Sequence, residues 1–401
     1  MVVVNFNYRV GPYGFLASRE ISTGGSTNNG LKDQRKVFQW VQKHISKFGG
    51  DPKHVVIGGA SAGGASVTLH MTAYGGRDDG LFHGVAAESQ SFGTMLTVDE
   101  SQYVYDGLVS RTGCKTGSDT LSCLRSLPID KLQDSNTVIP FPNATGNPLY
   151  LYGPTLDYDI VSNYTYAAYI NGAFLKIPAI YGDDTNEGTI FVPKGIATQA
   201  DADTFLKNQF PALTEDDLAF VHAAYFPANG TATTTFPGAG AYWRPLSDAY
   251  GEIRYVCPGV KISGLQIGRI WNYRWDVQDP DEEANGRGVT HTVELAAIWG
   301  HRDAKGAPVP NGGPKSYATT NSAIIPIAQG YWASFVRSLN PNTYRAAGSP
   351  VWGQWRAGAR PGDGIQRIRF RTGGAEMEYI DYEQQARCEY LGNIAVRLRQ
   401  R

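Results

Sequence analysis

The chain has 401 residues, a formal net charge of −1, 42% hydrophobic residues and 18% charged residues. That apolar share supports a large core and excludes a disordered chain, and the neutral balance with no basic run argues against nucleic-acid binding. No apolar stretch reaches the ~18 residues that cross a bilayer, so no transmembrane segment is expected.

Residues 2–8, VVVNFNY, read as a buried strand. They lack the basic flank and cleavage site of a signal peptide. A chain that opens inside a core strand is expected to lack what ordinarily precedes it. Val37, Phe38, Val41, Ile45 and Phe48 recur at helical spacing, and Gly49-Gly50-Asp51-Pro52 stops the helix predicted over 31–48. Val55-Val56-Ile57 is an apolar run leading into Gly58–Gly64; a small-residue helix follows over 62–73, then a short apolar run from Phe82 to Glu88. Strand, helix, strand, helix, strand predicts a mostly parallel sheet with helices on both faces.

Residues 97–132 read as helical around a Gly/Ser/Asp loop, where Cys114 and Cys123 lie nine positions apart, a spacing that closes easily as a disulfide. Residues 177–181 predict a strand, 201–226 two helices, and 270–277 an aromatic strand. Gly/Pro-rich loops are expected at 303–316 and 340–364, a helix at 324–339, a hairpin at 368–380 and a last helix at 383–399. With no repeat and no clear linker, residues 1–401 read as a single α/β domain. Cys257 and Cys388 are too distant in sequence to pair except through the fold. Three glycosylation sequons stand at Asn143, Asn163 and Asn229, about what chance supplies in a chain of this composition.

Gly59-Ala60-Ser61-Ala62-Gly63 fits G-x-S-x-G. The pattern is short, and its context gives it weight: a strand precedes it and a small-residue helix follows. A sharp strand-to-helix turn strains the serine backbone and needs tiny neighbours, so Gly59 and Gly63 are expected to admit close backbone. Ser61 then projects from the carboxyl edge of the sheet, with the Ala62 N–H placed to hold a developing oxyanion. The competing reading is a Gly-rich turn with a structural serine.

A serine hydroxyl needs a base, and the base needs an orienting carboxylate. Among the later histidines, His222 sits in an amphipathic helix pattern and reads as a packing or surface residue. His291 and His301 flank 293–300, and His291 falls on a loop just after the aromatic strand, where a base belongs. Asp183, Asp184 and Glu187 follow the strand at 177–181, and periodicity does not choose among them. The H-E-x-x-H zinc pattern and any Cys/His cluster are absent, so no metal and no cofactor is expected.

Together these runs resemble the type-B carboxylesterase/lipase family, an α/β-hydrolase family that includes cholinesterases and fungal lipases. The matching runs are Asn7–Leu16 (NYRVGPYGFL), Gly30–Arg35 (GLKDQR), Phe48–Pro52 (FGGDP), Gly59–Gly64, Asn186-Glu187-Gly188, Cys123-Leu124-Arg125 and His291–Leu295 (HTVEL). The resemblance implies Ser61 as nucleophile, Glu187 as triad acid and His291 as general base, with Asp183 and Asp184 as weaker acids. It implies the pairs Cys114–Cys123 and Cys257–Cys388, the second tying the last helix to the region before the His291 strand. Family members are mostly secreted, which lends the sequons weight.

The chain departs from the family at Ala60, where a glutamate is usual. It also lacks the family's N-terminal block with its H-G-G-G oxyanion loop. The strand before that loop lies between the strands matching 2–8 and 55–60, so its absence is expected to leave two facing ladders of unpaired backbone groups. The reading is a carboxylic ester hydrolase acting through an acyl-enzyme on a small-molecule or lipid ester, secreted in its complete form. For the 401-residue chain itself, the missing strand and oxyanion donors predict poor folding and little esterase activity; the alternative reading is a catalytically impaired fragment or a non-catalytic, cholinesterase-like binding module.

Overall fold

The computed structural model describes residues 1–116, 119–227, 236–266, 268–300, 314–356 and 362–401. Six strands form one sheet in the order of the sequence: β1 Val56–Ala60, β2 Gly84–Glu88, β3 Ala179–Asp184, β4 Ile270–Asp276, β5 Gln366–Arg371 and β6 Gly374–Tyr379. The pairs from β1 to β5 are parallel, and β6 returns antiparallel across the turn at Thr372 and Gly373. All residues of β2 and β3 are buried, as parallel strands covered on both faces must be.

The two-residue side-chain period sorts the sheet into two cores. Val85, Ala87, Ala179 and Tyr181 join a cluster with Val67 and Met71 of the helix Ala62–Gly76. Their neighbours Ala86 and Ile180 face the other side, with Trp271, Tyr273 and Trp275 of β4 and with Tyr331 and Phe335 of the helix Ile324–Ser338. Helices therefore cover both faces.

Apart from the strand at 2–8, the predicted helices and strands are present with adjusted ends. The early helix runs Asn29–His44, tightens to a 3₁₀ turn over Ile45–Phe48, and stops at Gly49, whose φ of 77° suits glycine. The helix after β1 breaks at Ala73–Gly75. Residues 97–132 divide into Gln102–Thr112, Thr120–Ser126 and a further helix beginning at Ile129. The last helix is Tyr382–Ile394, shorter than predicted at its far end. The part of the predicted loops at 303–313 and 357–361 lies outside the described residues.

The strand predicted at 2–8 is not formed. Met1, Val2, Val3 and Val4 are exposed, Met1 by 79%. Among the described residues the segment pairs with no strand and β1 has a single neighbour, β2; a groove of about 830 Å³ lies between residues 1–8 and β1. A ladder needs a neighbour about 4.8 Å away, and the groove keeps the two segments beyond that reach.

Both disulfides form, Cys114–Cys123 and Cys257–Cys388. The second joins the helix Cys257–Leu265, which packs on β3 and β4, to the last helix. Among the described residues no helix is long and apolar enough to cross a membrane.

Candidate active site

Ser61 sits between the end of β1 and the first residue of the following helix, with φ 58° and ψ −118°. A non-glycine residue in that region is strained, and such strain concentrates at functional turns. Two bonds hold the turn: Ser61 N donates to Glu88 O at 3.0 Å, and Ser91 N donates to Ser61 O at 3.2 Å. A Cβ on Gly59 would lie 2.7 Å from the carbonyl carbon of Gly63, so only glycine fits there. Gly63 differs from expectation: a Cβ there meets nothing within 4 Å, and on the helix side it is Gly64 that is crowded, where a Cβ would lie 2.6 Å from Glu88 O. Ala62 opens the helix, so its N–H has no intrahelical acceptor and stays open beside the serine.

Glu187 lies in a 3₁₀ turn just beyond β3, and His291 lies on the loop that follows β4 and the short helix Pro280–Ala284. Asn186 joins the two loops. Its N–H donates to Val289 O at 2.9 Å, and its Oδ1 accepts Val289 N at 2.9 Å. His291 Nδ1 is hydrogen-bonded to Glu187 Oε2, and Glu187 Oε1 accepts the Asp184 N–H at 2.8 Å. The glutamate side chain is fully sealed and the histidine nearly so. Phe191 meets the imidazole edge-on at 5.0 Å and Tyr255 lies 4.4 Å from it, fixing the ring plane. Among the described residues, the buried His291 Nε2 has no hydrogen-bond partner and the Ser61 hydroxyl makes no hydrogen bond within 3.5 Å, so the two are not bonded to each other.

The strand expected to end at 181 runs on through Asp183 and Asp184, and of the three acids at and beyond the end of β3 Glu187 alone reaches the imidazole. Asp183 faces Arg367 at 3.7 Å, and burial pushes its pKa up to about 7 against the pull of that cation. Asp184 accepts the Thr292 N–H at 2.6 Å and the Ser89 hydroxyl at 3.4 Å. The Ser61–Glu88, Ser89–Asp184 and Asp184–Thr292 bonds place the serine turn and the histidine loop at the carboxyl ends of three adjacent strands.

His222 is in its predicted helix, bonded to Asp203 at 2.7 Å and Gln199 at 3.1 Å, away from this cluster. His301 lies outside the described residues. Asn143 is exposed and Asn163 half-buried, with the Thr165 of its sequon fully buried; Asn229 lies outside the described residues. Among the described residues, one group of three metal-ligating types stands close together: Glu252, Cys257 and Cys388. Its two cysteines are joined to each other, so their thiolates are spent.

Three residues gave no sequence signal for the places they take, although Thr292 and Glu294 stand in the HTVEL run. Glu88, at the end of β2, takes Trp332 Nε1–H at 2.5 Å, and burial together with Glu294 pushes its pKa up to about 8. Glu294 accepts the Tyr273 hydroxyl at 3.0 Å. Thr292 has φ 64°, rare for a β-branched residue. Acidic residues on separate loops show no spacing rule, and a threonine does not advertise positive φ.

A mostly parallel sheet carrying a strained serine at a strand-to-helix turn, with a histidine held by a carboxylate on loops that follow later strands, is the layout of the α/β-hydrolase class. The chain belongs to the carboxylesterase family, whose model matches residues 1–366. It is 32% identical over 380 residues to Secreted lipase 4 of Gibberella zeae, covering 88% of this chain and 62% of that protein. Secreted lipase 1 of Botryotinia fuckeliana is 36% identical over 388 residues, with 90% of this chain and 62% of that protein covered. The crystal structure of Aspergillus niger EstA superposes with a TM-score of 0.89 at 38% identity, covering 98% of this chain and 74% of that one. The chain thus spans less than two thirds of the length of these two secreted lipases.

Proposed function

We propose that this chain hydrolyses carboxylic esters through an acyl-enzyme on Ser61. His291 Nε2 takes the Ser61 proton as the hydroxyl attacks the ester carbonyl, and the Ala62 N–H bonds the resulting oxyanion. The imidazolium returns its proton to the departing alcohol. Water then attacks the acyl-enzyme, again losing a proton to His291, and the acid is released. Glu187 keeps Nδ1 protonated and orients the ring, which leaves Nε2 as the basic edge.

One observation supports this reading above the others. The His291–Glu187 pair ends in a buried Nε2 with no partner, an orphan that a working base accounts for. The substrates we infer are esters with an apolar acyl or alcohol part, in line with the lipase names of the relatives. Secretion follows from the same names and from the two disulfides, which persist in oxidising compartments.

The test is labelling with a fluorophosphonate. The wild-type chain should take up the probe at Ser61, and Ser61→Ala and His291→Ala should not. Labelling that persists in Ser61→Ala rules out this nucleophile.

A further inference from the structure

Behind the His291–Glu187 pair lies a set of carboxyl groups that the proposed chemistry does not use. Asp184, Glu294 and Glu88 are all buried, with Asp184 and Glu294 at 0% exposure. None makes an ion pair with a lysine or arginine among the described residues. One oxygen of each of two groups, Asp184 Oδ1 and Glu294 Oε2, is buried without a partner while the two side chains are ionised. Yet these side chains are in hydrogen-bonding contact once one of them holds a proton. Two ionised carboxylates in a dry site repel, and a shared proton turns the repulsion into a bond.

The surroundings match that state. Glu187 and His291 face the pair from the site side, Glu88 from β2, Tyr273 from β4 and Tyr317 from the 3₁₀ turn Lys315–Ala318. Among the described residues that face the pair, His291 is the one group able to become a cation. Burial first, and then the neighbouring carboxylates, raise Asp184 well above the usual carboxylate range and raise Glu294 as well.

We propose that Asp184 and Glu294 share one proton and act as a positioning pair that fixes the His291 loop. Asp184 Oδ1 carries the proton and donates it to Glu294 Oε2, satisfying both orphaned oxygens. Asp184 Oδ2 is left to hold the Thr292 N–H, which pins Thr292 in its left-handed conformation directly after His291. Glu294 is anchored in turn by the Tyr273 hydroxyl. Loss of the proton places two anions in contact, pushes the Thr292 turn away and tilts the imidazole off the serine. The part of this inference that concerns reactivity rests on the ester-hydrolase reading; the shared proton does not.

The experiment has two readouts on the full chain. In infrared difference spectra at neutral pH, wild type minus variant, the same C=O stretch of a protonated, buried carboxyl should be lost in both Asp184→Asn and Glu294→Gln, whereas the bands of Glu88 and Asp183, whose carboxyls burial also raises, persist in both variants and cancel. The fluorophosphonate labelling rate should fall at alkaline pH in the wild type. Asp184→Asn should lose that alkaline limb, because an amide N–H replaces the proton permanently while the amide oxygen still accepts Thr292 N–H. Asp184→Ala should label about 100-fold more slowly at all pH values, the cost of a misplaced reacting group. The pair is overturned if the infrared band survives both conservative variants, or if Asp184→Asn keeps the wild-type alkaline limb. A band that behaves as expected in a chain that never labels leaves the pair standing and sinks the esterase reading.

Discussion

Glu187 binds His291 with one carboxylate oxygen and the backbone N–H of Asp184 with the other. The carboxylate is therefore fixed by its own loop before it orients the ring. Glu187→Gln keeps the shape but offers an amide, which can present its N–H to Nδ1 and so select the tautomer with the wrong edge protonated. Turnover of a short p-nitrophenyl ester should drop by about 10³–10⁴-fold, with KM little changed. An unchanged turnover would assign the acid role elsewhere.

Gly188 follows Glu187 and lies against the helix Trp243–Gly251, where an added Cβ would sit 1.9 Å from Ser247 O. Gly188→Ala must push that helix away or shift the turn that carries Glu187. We expect a loss of about 1–3 kcal/mol in urea unfolding and a larger proportional loss in turnover. Unchanged stability and activity would mean that the helix moves freely.

Glu88 gives stability a pH dependence. Its unfolded value is about 4.5, and in the fold burial first, then Glu294, raise it to about 8. Between these values the folded chain holds a proton that the unfolded chain has lost. Glu88's contribution is thus fully present below pH 4.5 and is lost as pH rises through about 8. Glu88→Gln should flatten that decline, so that the variant gains on the wild type between pH 5 and pH 8 by about 4 kcal/mol. Thermal melts across pH check this; parallel curves for the variant and wild type count against it.

The Cys257–Cys388 bond closes a separation of 131 residues and the Cys114–Cys123 bond one of 9. Chain-entropy reasoning gives the longer loop the larger effect, about 4–5 kcal/mol against about 2–3. The pair Cys257→Ser and Cys388→Ser should therefore lower the denaturant midpoint more than Cys114→Ser with Cys123→Ser. Equal losses would show that packing, not loop closure, sets the effect.

Of the two described sequons, Asn143 is exposed, whereas Thr165 buries the hydroxyl that the Asn163 sequon presents. In a eukaryotic secretion host, Asn143→Gln should remove a glycan and Asn163→Gln should leave the mass of the deglycosylated and untreated forms unaltered in difference. Mass spectrometry before and after glycosidase decides it.

The sequence by itself determined the parts of this protein that local chemistry dictates. The apolar runs seeded β1 to β4, of which β2 and β3 are buried along their whole length as parallel strands covered on both faces are, and Gly59 before Ser61 marked a turn that tolerates no Cβ on the strand side. Family motifs singled out Glu187 and His291 ahead of any coordinates. The tertiary structure alone decided what depends on neighbours distant in sequence. Residues 2–8 have strand character and no ladder, because pairing requires a second strand at hydrogen-bonding distance. Asp183, Asp184 and Glu187 look alike in sequence, and only packing gave one an arginine, one the Thr292 backbone and one the imidazole. The contact between Asp184 and Glu294 exists because two loops meet above the sheet, and the protonation of a buried carboxyl is set by what surrounds it, not by its place in the chain.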